Sequence, residues 1–404
     1  MAEAQPFLPY GRQVIEDDDI AAVAEALRAE LLTTGPRVEA FEQAFAETVG
    51  ARHAVACSNG TAALHLAMLA LDLQAGEVVI APAITFAATA NCARYQGGEV
   101  IFADVDPNTG LMTPDTLAAA IGKLGGRRLK AVLPVHLSGN VVDLPGIRRL
   151  ATENEAELVE DACHALGTAM AFDNHPERVG DGRHSALACF SFHPVKTMTT
   201  GEGGMVTTND TALAQRLRLY RTHGISRDPA GFEHADLAFD ADGAVNPWIY
   251  EMQALGYNYR LPDLLCALGL SQLTKLERFI ARRRSLVARY RTLLQPLAPL
   301  VRGVAPPRGC DPALHLFVVL IDFAAAGLSR RQVMEGLRAR GIGSQVHYIP
   351  VHHQPYYRAR YGAIDLPGAD AYYARCLSLP LYPSMADSDP ERVVATLGGV
   401  LGVG

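Results

Sequence analysis

Between residues 50 and 210 the chain alternates short apolar runs with amphipathic stretches. The runs are HAVAC from His53, EVVIAP from Glu77, EVIFADV from Glu99, KAVLPVHL from Lys130, ELVEDAC from Glu157, ALACFSF from Ala186 and GGMVTTN from Gly203. Near-continuous apolar runs of this length predict strands buried on both faces, as in a parallel sheet covered by helices. Between them, GTAALHLAMLALDL and TPDTLAAAIGKL carry helical patterning. That alternation is an α/β, doubly wound arrangement with a mostly parallel central sheet. Near Asp263 the pattern changes to one long helical segment, LLCALGLSQLTKLERFIARRRSLVARYRTLL, followed by a strand LHLFVVLID, a helix SRRQVMEGLRARG and the stretch GSQVHYIP. The boundary is expected inside the long helix, giving a large α/β domain over 1–272 and a smaller C-terminal α+β domain over 273–404.

Composition narrows the function classes. The chain has 404 residues, enough for two domains, with 49% hydrophobic and 20% charged residues, ordinary for a globular protein. A net charge of -7 leaves no electrostatic footprint for nucleic acid or an anionic membrane. The arginine-rich run RFIARRRSLVARYR has helical spacing and reads as a solvated helix face. No apolar stretch reaches the roughly 18 residues of a membrane span, and MAEAQPFLPY lacks the apolar region of a signal peptide, so a cytoplasmic location is expected. The seven cysteines are scattered and form no CxxC pair, which suggests neither a disulfide framework nor a zinc site.

Three polar groups fall where open α/β sheets bind ligands, at the carboxyl ends of strands. In CSNGTAALH a strand ends at Cys57, a Ser-Asn-Gly turn follows, and a helix begins near Thr61. Free N–H groups at a helix start, with a glycine permitting close approach, suit a phosphate; Ser58 or Asn59 would serve equally as a plain N-cap. In LVEDACHALG, Asp161 ends an apolar run, and a carboxylate buried there calls for a cationic partner such as a protonated heterocyclic nitrogen. His164 is placed to exchange a hydrogen bond with a ring oxygen, while a helix-capping acid beside an ordinary histidine accounts for the same residues without a ligand. The third group is SFHPVKTMTT, which holds Lys196, one of only four lysines among 36 Lys and Arg residues. Lys123, Lys130 and Lys275 lie in charged segments that read as exposed. An arginine would supply positive charge as well at position 196, whereas only lysine supplies a neutral, nucleophilic amine. A surface lysine on a Gly/Thr loop is the ordinary alternative. Ser191, five residues earlier, is close enough to share an anionic site with it. In this order, phosphate turn, strand-end acid and Ser-x4-Lys describe a pyridoxal phosphate (PLP) site, with a lysine Schiff base, an acid on the pyridinium nitrogen and a phosphate on a helix N-terminus.

The sequence resembles the nucleotide-sugar aminotransferases, a branch of the fold type I PLP enzymes. The matching pieces are LLTTGPRVEAFEQAFAE, SNGTAALHLAMLAL, ITFAATANCA, VEDACHALGT, FSFHPVKTMTTGEGGMVTTN and LGYNYRLPDLLCALGLSQL, which span nearly the whole chain. The opening LPYGRQVIEDDDI and the late GSQVHYIPVHHQPYYRARYG are most similar to the branch that aminates C4 of a UDP-4-keto-6-deoxy-N-acetylhexosamine in pseudaminic acid biosynthesis. That branch commonly has Pro-Ile after the lysine, where this chain has Thr197 and Met198. The resemblance implies that Lys196 is the Schiff-base lysine and Asp161 the pyridinium partner. By the same token His164 lies near the ring hydroxyl, Phe86 stacks on the cofactor face, and Gly60, Thr61 and Ser191 cradle the phosphate. Asn258 would reach the phosphate of a neighbouring subunit, which implies a homodimer with shared sites. Arg260 would clamp a substrate carboxylate, and His347 and Tyr348 would approach the sugar nucleotide. The implied reaction moves an amino group from L-glutamate, the cofactor cycling through pyridoxamine phosphate. A C3 or C4 aminotransferase on a dTDP or GDP keto-deoxy sugar, or a non-catalytic PLP-fold regulator, would share these features; a sugar dehydratase of the same fold would carry histidine in place of Lys196. His347, His352 and His353 in VHYIPVHHQ match no standard metal-ligand spacing and have no acidic neighbour in the sequence, so no metal is expected.

Overall fold

Each of the seven apolar runs contributes a strand to one sheet. The computed structural model of the chain describes residues 6–172 and 175–403. The strands are β1 (His53–Cys57), β2 (Val78–Pro82), β3 (Glu99–Ala103), β4 (Leu129–Val132), β5 (Glu157–Asp161), β6 (Leu187–Ser191) and β7 (Gly204–Thr208), in the spatial order β1-β7-β6-β5-β4-β2-β3. All neighbours pair in parallel except β7, which runs antiparallel to both β1 and β6. Val78, Val79, Ile80 and Ala81 of β2 are wholly buried, as a sheet covered on both faces requires. Helices Gly60–Ala70, Ala87–Tyr95, Pro114–Ile121 and Leu144–Glu153 make the crossovers that parallel pairing needs.

A second hydrophobic core lies C-terminal to this one. It is built on an antiparallel three-stranded sheet of Val301–Gly303, Phe317–Ile321 and Cys376–Leu379, with helices Leu276–Leu293, Arg330–Ala339 and Asp389–Leu401 packed on it. Leu8 from the N-terminal segment joins the same core.

The long helical segment expected after Asp263 is two helices, Asp263–Leu273 and Leu276–Leu293, which break at Thr274 and Lys275. An ion cluster sits at the break. Lys275 is 6% exposed, not a surface lysine, and its Nζ lies 2.6 Å from both Asp18 Oδ1 and Asp19 Oδ1. These contacts tie the helix Asp17–Arg28 to the break; sequence spacing gives no sign of a partner more than 250 residues away. Lys123 is exposed and Lys130 half-buried. Nor is the arginine run solvated throughout: Arg283 is 1% exposed.

Candidate active site

The register of β1, β7 and β6 sets the site. Cys57 and Ser191 both pair with Gly204, and Asp161 pairs with Cys189 one strand further along. Ser58 and Asn59 turn the chain from β1 into the helix Gly60–Ala70, so the helix start lands over Ser191. Two glycines permit this closeness. A Cβ on Gly204 would lie 2.4 Å from the Asn59 carbonyl oxygen, and one on Gly60 would lie 2.8 Å from Ser191 Cβ and 3.2 Å from its Oγ. Asn59 is the N-cap, accepting from the Ala62 N–H at 2.8 Å, while the Ser58 N–H donates to the Tyr259 carbonyl. Capping and phosphate binding therefore do not compete for one residue. Gly60 and Thr61, whose N–H groups have no partner inside the helix, line a cavity of about 460 Å³ together with Ser191.

Asp161, at the end of β5, is 5% exposed. Its Oδ2 accepts from Thr89 Oγ1 at 2.6 Å and its Oδ1 from the Cys163 N–H at 3.2 Å. Thr89 is itself 2.6 Å from the Thr85 hydroxyl. A buried carboxylate with two donors and, among the described residues, no salt-bridging cation is suited to a cationic ligand. Lys196 opens onto the same cavity from the turn after β6, where its N–H donates to the His193 carbonyl at 2.8 Å. Burial pushes the Lys196 pKa down, and the neighbouring Cys163 and Asp161 offset this only in part. The amine is accordingly easier to deprotonate than a free lysine, which is the property a nucleophilic amine needs.

His164 lines the same cavity, and its Nδ1 accepts from the Ser138 N–H at 3.3 Å. A neutral ring then carries its proton on Nε2, which lies 3.0 Å from the Tyr348 hydroxyl. Burial, with Lys196 and His347 nearby, holds the His164 pKa well below the usual histidine range. His347 Nδ1 is 2.8 Å from the Ser378 hydroxyl, and burial together with Lys196 pushes its pKa down to about 3. Phe86 and Tyr348 both line the cavity with ring centroids 6.1 Å apart, and Phe86 is 59% exposed in the single chain.

All the expected site residues except Asn258 and Arg260 thus line one cavity. Asn258 is exposed on a short bridge to Thr222, and Arg260 is half-buried with its Nε lacking a partner. Sequence reasoning missed Thr89, which holds Asp161; it stands in the ITFAATANCA segment, but nothing in that segment says the hydroxyl turns inward. It also missed His315, whose ring centroid is 4.5 Å from that of His164, and Arg283, which donates to the carbonyls of Leu381, His315 and Lys196 at 2.9, 3.3 and 3.4 Å.

A six-parallel, one-antiparallel sheet with a lysine, a strand-end acid and a helix start meeting on one cavity is that of a PLP-dependent transferase of fold type I. The residues present fit that group: a cradle that a Cβ on Gly60 would fill, a neutral histidine and a buried carboxylate. The chain belongs to the DegT/DnrJ/EryC1/StrS aminotransferase family, whose sequence profile spans residues 13–398. It is 38% identical to the spore coat polysaccharide biosynthesis protein SpsC of Bacillus subtilis (strain 168), over 98% of this chain and 97% of that one. Among solved structures it is similar to Helicobacter pylori PseC, an aminotransferase involved in the biosynthesis of pseudoaminic acid, with TM-score 0.86, 26% identity, and 98% and 99% of the two chains covered. It is also similar to DesI, solved in the presence of its TDP-sugar product, with TM-score 0.83, 34% identity, and 98% and 93% covered. The protein is a sugar aminotransferase.

Proposed function

We propose that the protein moves an amino group from L-glutamate to the C4 ketone of a 4-keto-6-deoxy sugar nucleotide, a UDP-N-acetylhexosamine of the kind that leads to pseudaminic acid. The observation that carries the chemistry is the meeting of Lys196, Asp161 and the Gly60–Ser191 cradle on one cavity. Bound there, the cofactor supplies an electron-withdrawing ring that stores the amino group between the two half-reactions. Ser191 and the helix-start N–H groups hold its phosphate. Asp161, fixed by Thr89 and the Cys163 N–H, would hold the heterocyclic nitrogen. Phe86, which lines the cavity, would stack on the ring, a contact worth about 0.5–1.5 kcal/mol beyond area burial. The Lys196 amine takes the proton from the donor carbon and returns it on the far side of the transfer, a role worth about 10²–10⁴-fold in rate. His164 donates from Nε2 toward the ring hydroxyl or Tyr348, and His347 and Tyr348 border the space for the sugar.

We assign the site to a homodimer. Trp248, Met252 and Leu255, at 72, 65 and 78% exposure, leave apolar surface on the segment leading to Asn258. Asn258 and Arg260 stand outside their own cavity, which fits roles across a subunit boundary: Asn258 on the cofactor phosphate, Arg260 on the donor carboxylate.

A TDP-linked keto-deoxy sugar is the second reading, favoured by the higher identity to DesI, 34%, than to PseC, 26%. Protein loaded with pyridoxamine phosphate, without donor, is mixed with UDP-4-keto-6-deoxy-N-acetylhexosamine or with TDP-4-keto-6-deoxyhexose, and product mass is read after one turnover. Amino-sugar formation from the UDP substrate alone upholds the first reading. Formation from the TDP substrate alone replaces it with the second.

A further inference from the structure

One group of metal-ligating side chains lies away from the cavity. His352, His353 and Asp370 each place a ligand atom within 4.8 Å of the other two. The histidines end the short turn Val351–His353, close after Tyr348, with ring centroids 4.0 Å apart. Asp370 comes from the first turn of the helix Pro367–Arg375, and its Oδ1 lies 2.6 Å from His353 Nε2. The acidic neighbour missing from the local sequence is thus supplied by the fold, 17 residues downstream. His347, the other histidine of that stretch, turns away to Ser378.

The second observation is His352 itself. It is 1% exposed, yet neither ring nitrogen has a hydrogen-bond partner. A neutral imidazole offers one donor and one acceptor, and a buried polar group left unmet costs about 1–3 kcal/mol. A buried ring with both nitrogens unmet is free to give a lone pair to a metal ion. Asp370 and Asp104 supply negative charge for a cation, and Arg358 opposes it.

We propose that His352, His353 and Asp370 bind one divalent transition-metal ion of borderline softness, with zinc as the type. Two imidazoles, one carboxylate and a solvent molecule complete a four-coordinate set. The ion replaces the proton shared by His353 and Asp370, whose side chains are 35% and 46% exposed and so can adjust to admit it from solvent. Magnesium and calcium are disfavoured because both prefer all-oxygen ligand sets. The ion ties the turn beyond Tyr348 to the helix Pro367–Arg375 and takes no part in amino transfer.

The test uses the full chain with PLP bound, stripped of metal by chelator and free of amino acids. Cobalt(II) is added while visible ligand-field absorption is followed, and zinc binding is measured by calorimetry. The expected result is one ion per chain with a tetrahedral-type spectrum, and affinity lowered at least about tenfold in both His353→Ala and Asp370→Asn, since even outer-shell partners of a metal site are worth about 10–100-fold. Zinc should also raise the thermal midpoint of the wild type, and this shift should vanish in both variants. Both substitutions are at partly exposed positions, and unchanged metal-free unfolding confirms that each variant is folded. No stoichiometric binding, or binding equally tight in the two variants, overturns the proposal.

Discussion

Replacing Gly60 by alanine probes the cradle we propose for the phosphate separately from the rest of the site. The new Cβ would lie 2.8 Å from Ser191 Cβ, 3.2 Å from Ser191 Oγ and 3.3 Å from Cys163 Sγ. The first distance is about 0.6 Å short of ordinary carbon–carbon contact, so Ser191 or the helix start has to move, and such overpacking costs about 1–3 kcal/mol. Alanine's better helix propensity returns at most about 1 kcal/mol. The displaced hydroxyl no longer meets the phosphate squarely, and loss of one hydrogen bond to a charged group is worth about 1.5–3 kcal/mol. At 1.4 kcal/mol per decade this predicts PLP affinity weakened about 10- to 150-fold. The assay is fluorescence titration of cofactor-free protein with PLP, paired with urea unfolding of the same sample. Because the clash is with the Ser191 side chain, Gly60→Ala combined with Ser191→Gly should recover stability without recovering PLP affinity. An unchanged PLP dissociation constant in Gly60→Ala would refute the assignment of the cradle.

Other substitutions probe separate parts of the account. Lys196→Arg keeps a positive charge but supplies no neutral amine, so amino transfer should fall by at least about 10²–10⁴-fold while the fold, read by circular dichroism, is kept. Lys275→Met strips the buried Asp19 carboxylate, 0% exposed, of its cation, and should destabilise by about 3–5 kcal/mol in urea unfolding. Stability should also fall in mild acid. His347, His65 and His352 have folded pKa values of about 3, 4 and 4 against 6.5 when unfolded, so below pH 6.5 the unfolded chain binds protons that the folded chain does not. Each such histidine removes up to about 1.4 kcal/mol per pH unit between 6.5 and its folded value. Urea midpoints of the cofactor-free protein should therefore drop from pH 7 to pH 5, and constant midpoints would show that these rings are not held neutral.

Much of this molecule is legible without coordinates because its sheet is covered on both faces. Burial on two sides makes β1 to β7 nearly continuous apolar runs, and their strand ends carry Cys57, Asp161 and Ser191 to one edge. The reversed direction of β7 leaves no such mark, since an antiparallel strand inside a covered sheet is as apolar as its parallel neighbours. Long-range partners are equally invisible. Nothing near Lys275 announces Asp18 and Asp19, nothing near Thr89 announces Asp161, and nothing near His353 announces Asp370. Arg283 lies in a run of arginines that reads as a solvated helix face, and only packing shows that its guanidinium reaches three backbone carbonyls.

The most direct test is the donor half-reaction. Protein loaded with PLP, and given L-glutamate but no sugar, should release one 2-oxoglutarate per chain and then stop, while Lys196→Ala should release none. Failure of the wild type to release 2-oxoglutarate, or equal release by Lys196→Ala, would contradict the claim that this cavity transfers amino groups through Lys196.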